Sequence, residues 1–195
     1  GAQPPILLPS AMVAGSHGAA DPRDLDEGAG RPGGLAFGTL FHNVMRRLPL
    51  DELARGEEDG LPALAEGLAR MEAAALGLED AQASEAARLA VDLTQDAEFR
   101  ALLAGAQHVR REVPFAVPLR ALPFFDDDAP GLLEGSIDLV LAGADGTVVL
   151  DYKTDRLGPE DAGKLARRYW PQLALYGLAL EAAGAASDRA ELVLC

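Results

Sequence analysis

Asp138, Asp151 and Lys153 are the residues of this sequence whose types and spacing point to chemistry. They sit in two runs, "EGSIDLVLAG" (134–143) and "GTVVLDYKT" (146–154), whose β-branched and alternating apolar residues read as β-strands. The segment "GADG", Gly143 to Gly146, joins them as a tight turn. If Ala144-Asp145 forms the loop, Asp138 pairs with Asp151. If Asp145-Gly146 forms it, as a favoured hairpin pair, Asp138 pairs with Lys153 and Asp151 lies one step along. Either register groups Asp138, Val140, Val149, Asp151 and Lys153 on one face. The other face holds Ile137, Leu139, Leu141, Val148, Leu150 and Tyr152, is almost wholly apolar, and is expected to face the core.

Directly opposed side chains in such a pair have Cβ atoms ~5 Å apart. Two carboxylates that close repel each other unless a cation lies between them. Oxygen ligands on a rigid scaffold suit Mg²⁺ or Mn²⁺. A lysine beside them can orient or deprotonate a water, or offset charge on a phosphoryl group. The same three residues could also be a surface cluster in which Lys153 neutralises two aspartates. Of the 17 basic residues only Lys153 and Lys164 are lysines. An ammonium is compact and its pKa can be tuned, whereas a guanidinium is bulky and stays charged.

These residues need elements to position them. "AFGTLFHNVMRRL" (36–48) carries a helical apolar stripe ended by Pro49. Leu61 to Leu78 is an Ala- and Leu-rich helix, and Ser84 and Thr94 are candidate N-caps for helices over 85–93 and 95–104. "REVPFAVPL" (111–119) is β-like, with prolines that suit a sheet edge. His108 precedes it as a surface residue. Pro159 to Ala183 is helical, with a break at Trp170-Pro171, and "AELVLC" (190–195) is a last strand. The order is helices and then β-β-β-α-β, a mixed α/β core. Residues 1–35, rich in Gly, Ala and Pro, read as a flexible arm or linker that suggests something larger precedes the domain.

At 195 residues the chain suits one domain, 36–195, with a helical portion (36–105) and an α/β core (106–195). The net charge of −14 argues against a nucleic-acid coat protein but allows a local basic groove. Residues 153 to 168 supply one such strip, with Lys153, Arg156, Lys164, Arg167 and Arg168 against Asp155, Glu160 and Asp161. Next to it, Tyr169 and Trp170 could stack on bases or anchor the helix, and Trp170 is assigned to the core. The single cysteine, Cys195, rules out an internal disulfide, a Cys-based zinc site and a four-Cys iron–sulfur cluster within the chain. No apolar run reaches the ~18 residues of a membrane span, so no membrane partner and a cytoplasmic location are expected. "GPEDAGK" (158–164) imitates a phosphate-binding loop, but Leu165 stands where Ser or Thr should follow, and Glu160 and Asp161 would repel phosphates.

"GSIDLVL…VVLDYKT" resembles motifs II and III of the PD-(D/E)XK nucleases, in the branch of the RecB and AddA helicase-nucleases. "GTLFH" (38–42) resembles that branch's Gly-x-x-x-His helix, with Gly38 allowing a close helix approach. "REVPF" (111–115) resembles its Glu-x-Pro-Phe strand, and "QLALY" (172–176) its Gln-x-x-x-Tyr helix. The resemblance runs from about Phe37 to Cys195. It implies a restriction-endonuclease-like fold with a mixed central sheet and an N-terminal helical portion.

For the site, the resemblance implies His42, Asp138, Asp151 and the Tyr152 carbonyl as ligands of Mg²⁺ or Mn²⁺, and Lys153 as the catalytic lysine. Gln172 and Tyr176, at i and i+4 on one helix face, would support the site and meet DNA. Thr154, Arg156 and Arg168 join them as candidate DNA contacts, and Glu112 as an accessory contact near the site. No iron–sulfur cluster is expected, which places the resemblance on the AddA or RecB side. The implied function is an exonuclease-type, metal-dependent DNA nuclease domain acting in double-strand-break repair. Its partners would be single-stranded DNA, a preceding helicase of the UvrD/Rep type, and a second helicase-nuclease subunit. The alternative is a nuclease-like DNA- or protein-binding module without catalysis.

Overall fold

The structure is a computed structural model that describes residues 34–57, 59–123, 125–144, 146–154, 162–182, 184 and 189–194. The arm over 1–33, Asp145, residues 155–161 (which include the first four of the phosphate-loop imitation over 158–164), and Cys195 lie outside the described residues.

Helix α1 (Gly34–Arg47) buries Phe37, Leu40, Phe41, Val44 and Met45, the i, i+3, i+4 spacing of an amphipathic stripe. Pro49 follows, and a short helix α2 (Leu50–Ala54) turns the chain, an element the sequence pattern did not single out. Helix α3 (Leu61–Leu76) ends where Gly77 takes a left-handed φ of 69°. There the Leu78 N–H reaches the Ala73 carbonyl at 2.8 Å and Gly77 reaches Ala74 at 3.3 Å, a double closure of the last turn.

Helix α4 (Asp80–Gln95) starts at Glu79, whose side chain takes the N3 backbone N–H while Gln82 returns a bond to the Glu79 N–H. Helix α5 (Ala97–Gly105) is capped by Asp96, which accepts from the Glu98 and Phe99 N–H groups. Ser84 and Thr94 are therefore not N-caps. Ser84 donates to Glu66, and Thr94 bonds back to the Ala90 and Val91 carbonyls inside α4. Buried alanines line the α3 and α4 interior (Ala65, Ala69 and Ala73 with Ala83, Ala86, Ala87 and Ala90), so these two helices pack closely.

The sheet has strand order β1-β2-β3-β4. β1 (Ala106–Pro118) pairs antiparallel with β2 (Leu132–Gly143), which pairs antiparallel with β3 (Gly146–Lys153). β4 (Arg189–Leu194) lies parallel to β3, after the crossover helix α6 (Ala162–Ala182). β1 is an edge strand, as its prolines require, but it begins at Ala106, so His108 lies inside it. Gly143 pairs with Gly146, which settles the hairpin on the Ala144-Asp145 loop. α6 continues through Pro171 without the expected break. The ~3 kcal/mol cost of an interior proline is offset by the burial of Leu173, Leu175, Tyr176 and Ala179 just beyond it. Trp170 is 53% exposed and does not belong to the core.

Both sheet faces are covered, not one. Leu139, Leu141, Leu150 and Tyr152 pack into the helical cluster around Leu40, Phe41 and Val44. Val140 and Val149 pack against Leu173 and Tyr176 of α6, and Ile137 joins them there instead of staying with Leu139. The reason lies in the ladder. β2 and β3 pair only from Leu139↔Leu150 to the turn, so strand alternation is not carried across Asp138. That separation of strands is where the polar residues gather.

Candidate active site

Asp138 and Asp151 are not a regular cross-strand pair. Where the β2–β3 ladder stops, the Asp138 carboxylate fills in for a missing backbone partner, its Oδ2 accepting the Tyr152 N–H at 2.7 Å. Its Oδ1 lies 3.2 Å from His42 Nδ1. The other imidazole nitrogen, Nε2, donates to the Tyr152 carbonyl at 3.1 Å. His42 thus bridges two of its predicted co-ligands, and both its nitrogens face acceptors. Burial by itself would lower the His42 pKa, but the hydrogen bond and charge of Asp138, helped by Asp151, outweigh it, so the pKa is raised. The ring is held edge-on by Phe41 and Tyr152, with centroids 6.5 and 5.9 Å away. Gly38, one turn earlier, faces Thr154: a methyl there would stand 3.6 Å from Thr154 Oγ1, an ordinary contact. The helix does not need glycine for space at this point.

Glu112 completes a trio. It lies across β1 from Asp138, between the bridged pairs Arg111↔Leu139 and Val113↔Ile137. His42, Glu112 and Asp138 each offer a ligand atom within 4.8 Å of the others, a spacing that a cation could bridge. Glu112 also accepts from Ser136 Oγ at 3.3 Å. Its φ of +49° is the sole left-handed non-glycine conformation among the described residues. Such a conformation costs a glutamate ~1–2 kcal/mol. The sequence named Glu112 only as accessory, and its strand position is the signal that finds it.

Asp151 stands beside this trio, 1% exposed. Oδ1 accepts from Gln172 Nε2 at 3.1 Å and from the Tyr176 hydroxyl at 3.2 Å, and Gln172 also donates to Tyr176. Oδ2 has Lys153 Nζ at 2.7 Å, close enough for an ion pair but without hydrogen-bond alignment. Burial raises the Asp151 pKa and Asp138 adds to it, against the opposing pull of Lys153. Burial, then the Asp151 charge, raises that of Tyr176. Lys153 Nζ also lies 4.6 Å over the Tyr169 ring, with Arg168 at 5.5 Å from the same ring. Tyr169 is therefore a platform for the lysine, a role its sequence position did not reveal. Arg168 lies near the site. Arg156 falls outside the described residues, as do the side chains of Lys164 and Arg167.

Glu72 was not anticipated either. It is 7% exposed, accepts from Asn43 Nδ2 at 2.9 Å and is ion-paired to Arg47 Nε at 2.9 Å. It clamps the helix face next to His42 onto α3. Arg111 performs a similar task from β1, donating to the Leu48 carbonyl and, at 3.0 Å, to Asp51. Together the two hold the end of α1 against the strand that carries Glu112.

The fold and this grouping of acids, a histidine and a lysine at a split in the sheet describe a restriction-endonuclease-like domain. A family model described as the PD-(D/E)XK nuclease superfamily matches residues 17–195, and the chain belongs to that superfamily. The chain is similar to a protein of Desulforudis audaxviator named as a subunit of an ATP-dependent helicase/nuclease, 39% identical over 157 residues that cover 75% of this chain and 12% of that protein. Proteins of the same name match from Bacillus licheniformis, 38% identical over 74% of this chain and 12% of the relative, and from Streptococcus sanguinis, 32% identical over 75% and 11%. The chain spans about an eighth of the length of these relatives. No described helix is long and apolar enough to cross a membrane.

Proposed function

We propose that residues 36–195 form a metal-dependent DNA nuclease domain that hydrolyses phosphodiester bonds, exonuclease-fashion, in single-stranded DNA. One observation carries the reading: His42, Glu112 and Asp138 converge within 4.8 Å of one another, beside a buried Asp151 paired to Lys153. In this reading His42, Asp138, Asp151 and the Tyr152 carbonyl, with Glu112, hold Mg²⁺ or Mn²⁺. The donor set fits such an ion, being mostly hard oxygen with one imidazole. Asp151 Oδ2, buried and ion-paired to Lys153 at 2.7 Å, keeps a further lone pair of the kind a cation takes. A divalent ion there would supply Lewis acidity and a more acidic water.

The remaining work falls to the chain. His42 must give up a proton to become a ligand. Gln172 and Tyr176 fix one oxygen of Asp151, leaving the other directed at the reacting group. Lys153, held between Asp151 and the Tyr169 ring, is placed to hold the attacking water and to offset negative charge on the phosphoryl oxygens. As the water oxygen bonds to phosphorus, the bond to the departing sugar oxygen breaks. Thr154 and Arg168 flank that place as DNA contacts, and Arg156, outside the described residues, is the third contact proposed from the sequence.

The names of the relatives support a setting beside a helicase. Our reading adds that residues 1–35 are the connecting arm, that a second helicase-nuclease subunit is a partner, and that the process is double-strand-break repair. The test is cleavage of single-stranded DNA with Mn²⁺ by the chain and by Asp151→Ala. Cleavage is expected from the first alone, and equal cleavage by both overturns the reading.

A further inference from the structure

Five of the described arginines are neutralised by acids. Arg47 pairs with Glu72, Arg55 with Glu57, Arg70 with Glu66, Arg88 with Glu85 and Asp92, and Arg111 with Asp51. In a chain of net charge −14 this is what abundant acids should produce. Arg46, Arg110, Arg120 and Arg168 have no such ion pair among the described residues, and of these Arg46 and Arg110 lie together. Both are exposed, and neither has an acidic partner among the described residues. They come from different elements, the last turn of α1 and the middle of β1, yet they line one open groove of about 520 Å³. Its other walls include Arg111, Pro114 and Glu112, the last being a member of the candidate cation trio.

We propose that this groove is a phosphate track: it seats the backbone of a single nucleic-acid strand on the β1 side of the cutting site, with Arg46 and Arg110 each taking a phosphate. The proposal rests on the nuclease reading for its choice of ligand. The groove shares no residue with the basic strip over 153–168. Exposed guanidiniums outside ion pairs release counterions when they meet phosphates, and that release supplies sequence-independent affinity. Arg111 stays tied to Leu48 and Asp51, so it shapes the groove and leaves the two free cations to make contacts. The wall residue Pro114 and the flanking Val109 and Val113 offer an apolar surface to sugars or bases.

The test is equilibrium binding of a fluorescein-labelled oligothymidylate to the full chain, read by anisotropy across salt concentrations with Ca²⁺ replacing Mg²⁺ or Mn²⁺. Removing two phosphate contacts should reduce the slope of log affinity against log salt by about 1.4 for a single strand. Raising salt from about 50 to 200 mM should then weaken the parent roughly sevenfold more than Arg46→Ala/Arg110→Ala. Arg120→Ala, an exposed arginine on another turn, should keep the parent slope. An unchanged slope in the double variant, or an equal loss in Arg120→Ala, overturns the track. So does polyglutamate that binds with the same salt slope as the oligonucleotide, since the groove would then be a site for acidic peptides. The readout is binding without cleavage, so a chain that fails to cut DNA sinks the nuclease reading and leaves the groove to its own result.

Discussion

Gly135→Ala, at a residue that touches none of the acids, should impair the site. Gly135 pairs with Phe115 across β1 and β2, and it has no unusual backbone angle. Its role is steric: a Cβ there would lie 2.6 Å from Phe115 Cζ and 2.8 Å from Cε1. To restore an ordinary contact the ring must retreat by about 0.8 Å. The ring meets Tyr176 edge-on with centroids 5.8 Å apart, and the Tyr176 hydroxyl holds Asp151 at 3.2 Å. A shift of that size passed along would stretch the Tyr176–Asp151 bond beyond hydrogen-bond range. Overpacking costs ~1–3 kcal/mol, or about 2–4 °C of Tm per kcal/mol in a chain of this size. Misplacing a site group by ~1 Å can cost about 10²-fold in rate. We therefore expect Gly135→Ala to fold, melt several degrees lower and cleave single-stranded DNA about 10- to 100-fold more slowly with Mn²⁺. Phe115→Leu should relieve the clash, so the double variant should cut nearly as well as Phe115→Leu alone. A double-mutant cycle on Tm and rate measures this directly. Unchanged rate and Tm in Gly135→Ala would break this chain of contacts, as would a double variant no better than Gly135→Ala.

Lys153→Arg should keep the fold and lose most cleavage, because a planar guanidinium cannot occupy the place of a compact ammonium 2.7 Å from Asp151 and 4.6 Å over Tyr169. A thermal melt alongside a cleavage assay checks both halves. Glu72→Gln should cost ~1–3 kcal/mol by urea denaturation, because Arg47 and Asn43 lose a charged acceptor, while Arg47, 46% exposed, can turn to water. With EDTA, the raised pKa values of His42 and Asp151 both favour folding at lower pH. The His42 contribution is fully present below 6.5 and is lost as pH rises through its folded pKa, so Tm should fall over that window. With Mn²⁺ the trend should reverse, since metal and protons compete for the same groups. His42→Gln should flatten both slopes.

Much of this was legible because strand alternation and turn chemistry constrain a hairpin tightly. A period of two residues groups Val140 and Val149 with Asp151 and Lys153 whichever loop is chosen, while Asp138 lies beyond the end of the ladder and turns to His42. The loop itself stayed open, because Asp145-Gly146 is the better isolated turn, while the ladder in the fold closes at Gly143↔Gly146. The exchange of Ile137 between faces was not legible, since it depends on β2 and β3 separating after Leu139 and Leu150. Glu112 was legible only as an accessory contact, because nothing in "RREVPF" announces a glutamate at φ +49°. Trp170 was misassigned because aromatic character suggests burial, whereas on α6 the buried side is carried by Leu173 and Tyr176. Ser84 and Thr94 misled because short hydroxyl residues are the commoner N-caps, and here Glu79 with Gln82, and Asp96, take that task.

The nuclease reading stands or falls on whether His42 and the neighbouring carboxylates hold one divalent ion. Pulsed electron paramagnetic resonance of the chain with one equivalent of Mn²⁺ answers that without recourse to cleavage. A directly bonded imidazole imprints nitrogen modulation on the Mn²⁺ signal. This modulation should be present in the parent chain, persist in Lys153→Arg and disappear in His42→Ala. Tightly bound Mn²⁺ with no nitrogen modulation in the parent, or the same modulation in His42→Ala, would contradict a shared ion at this place.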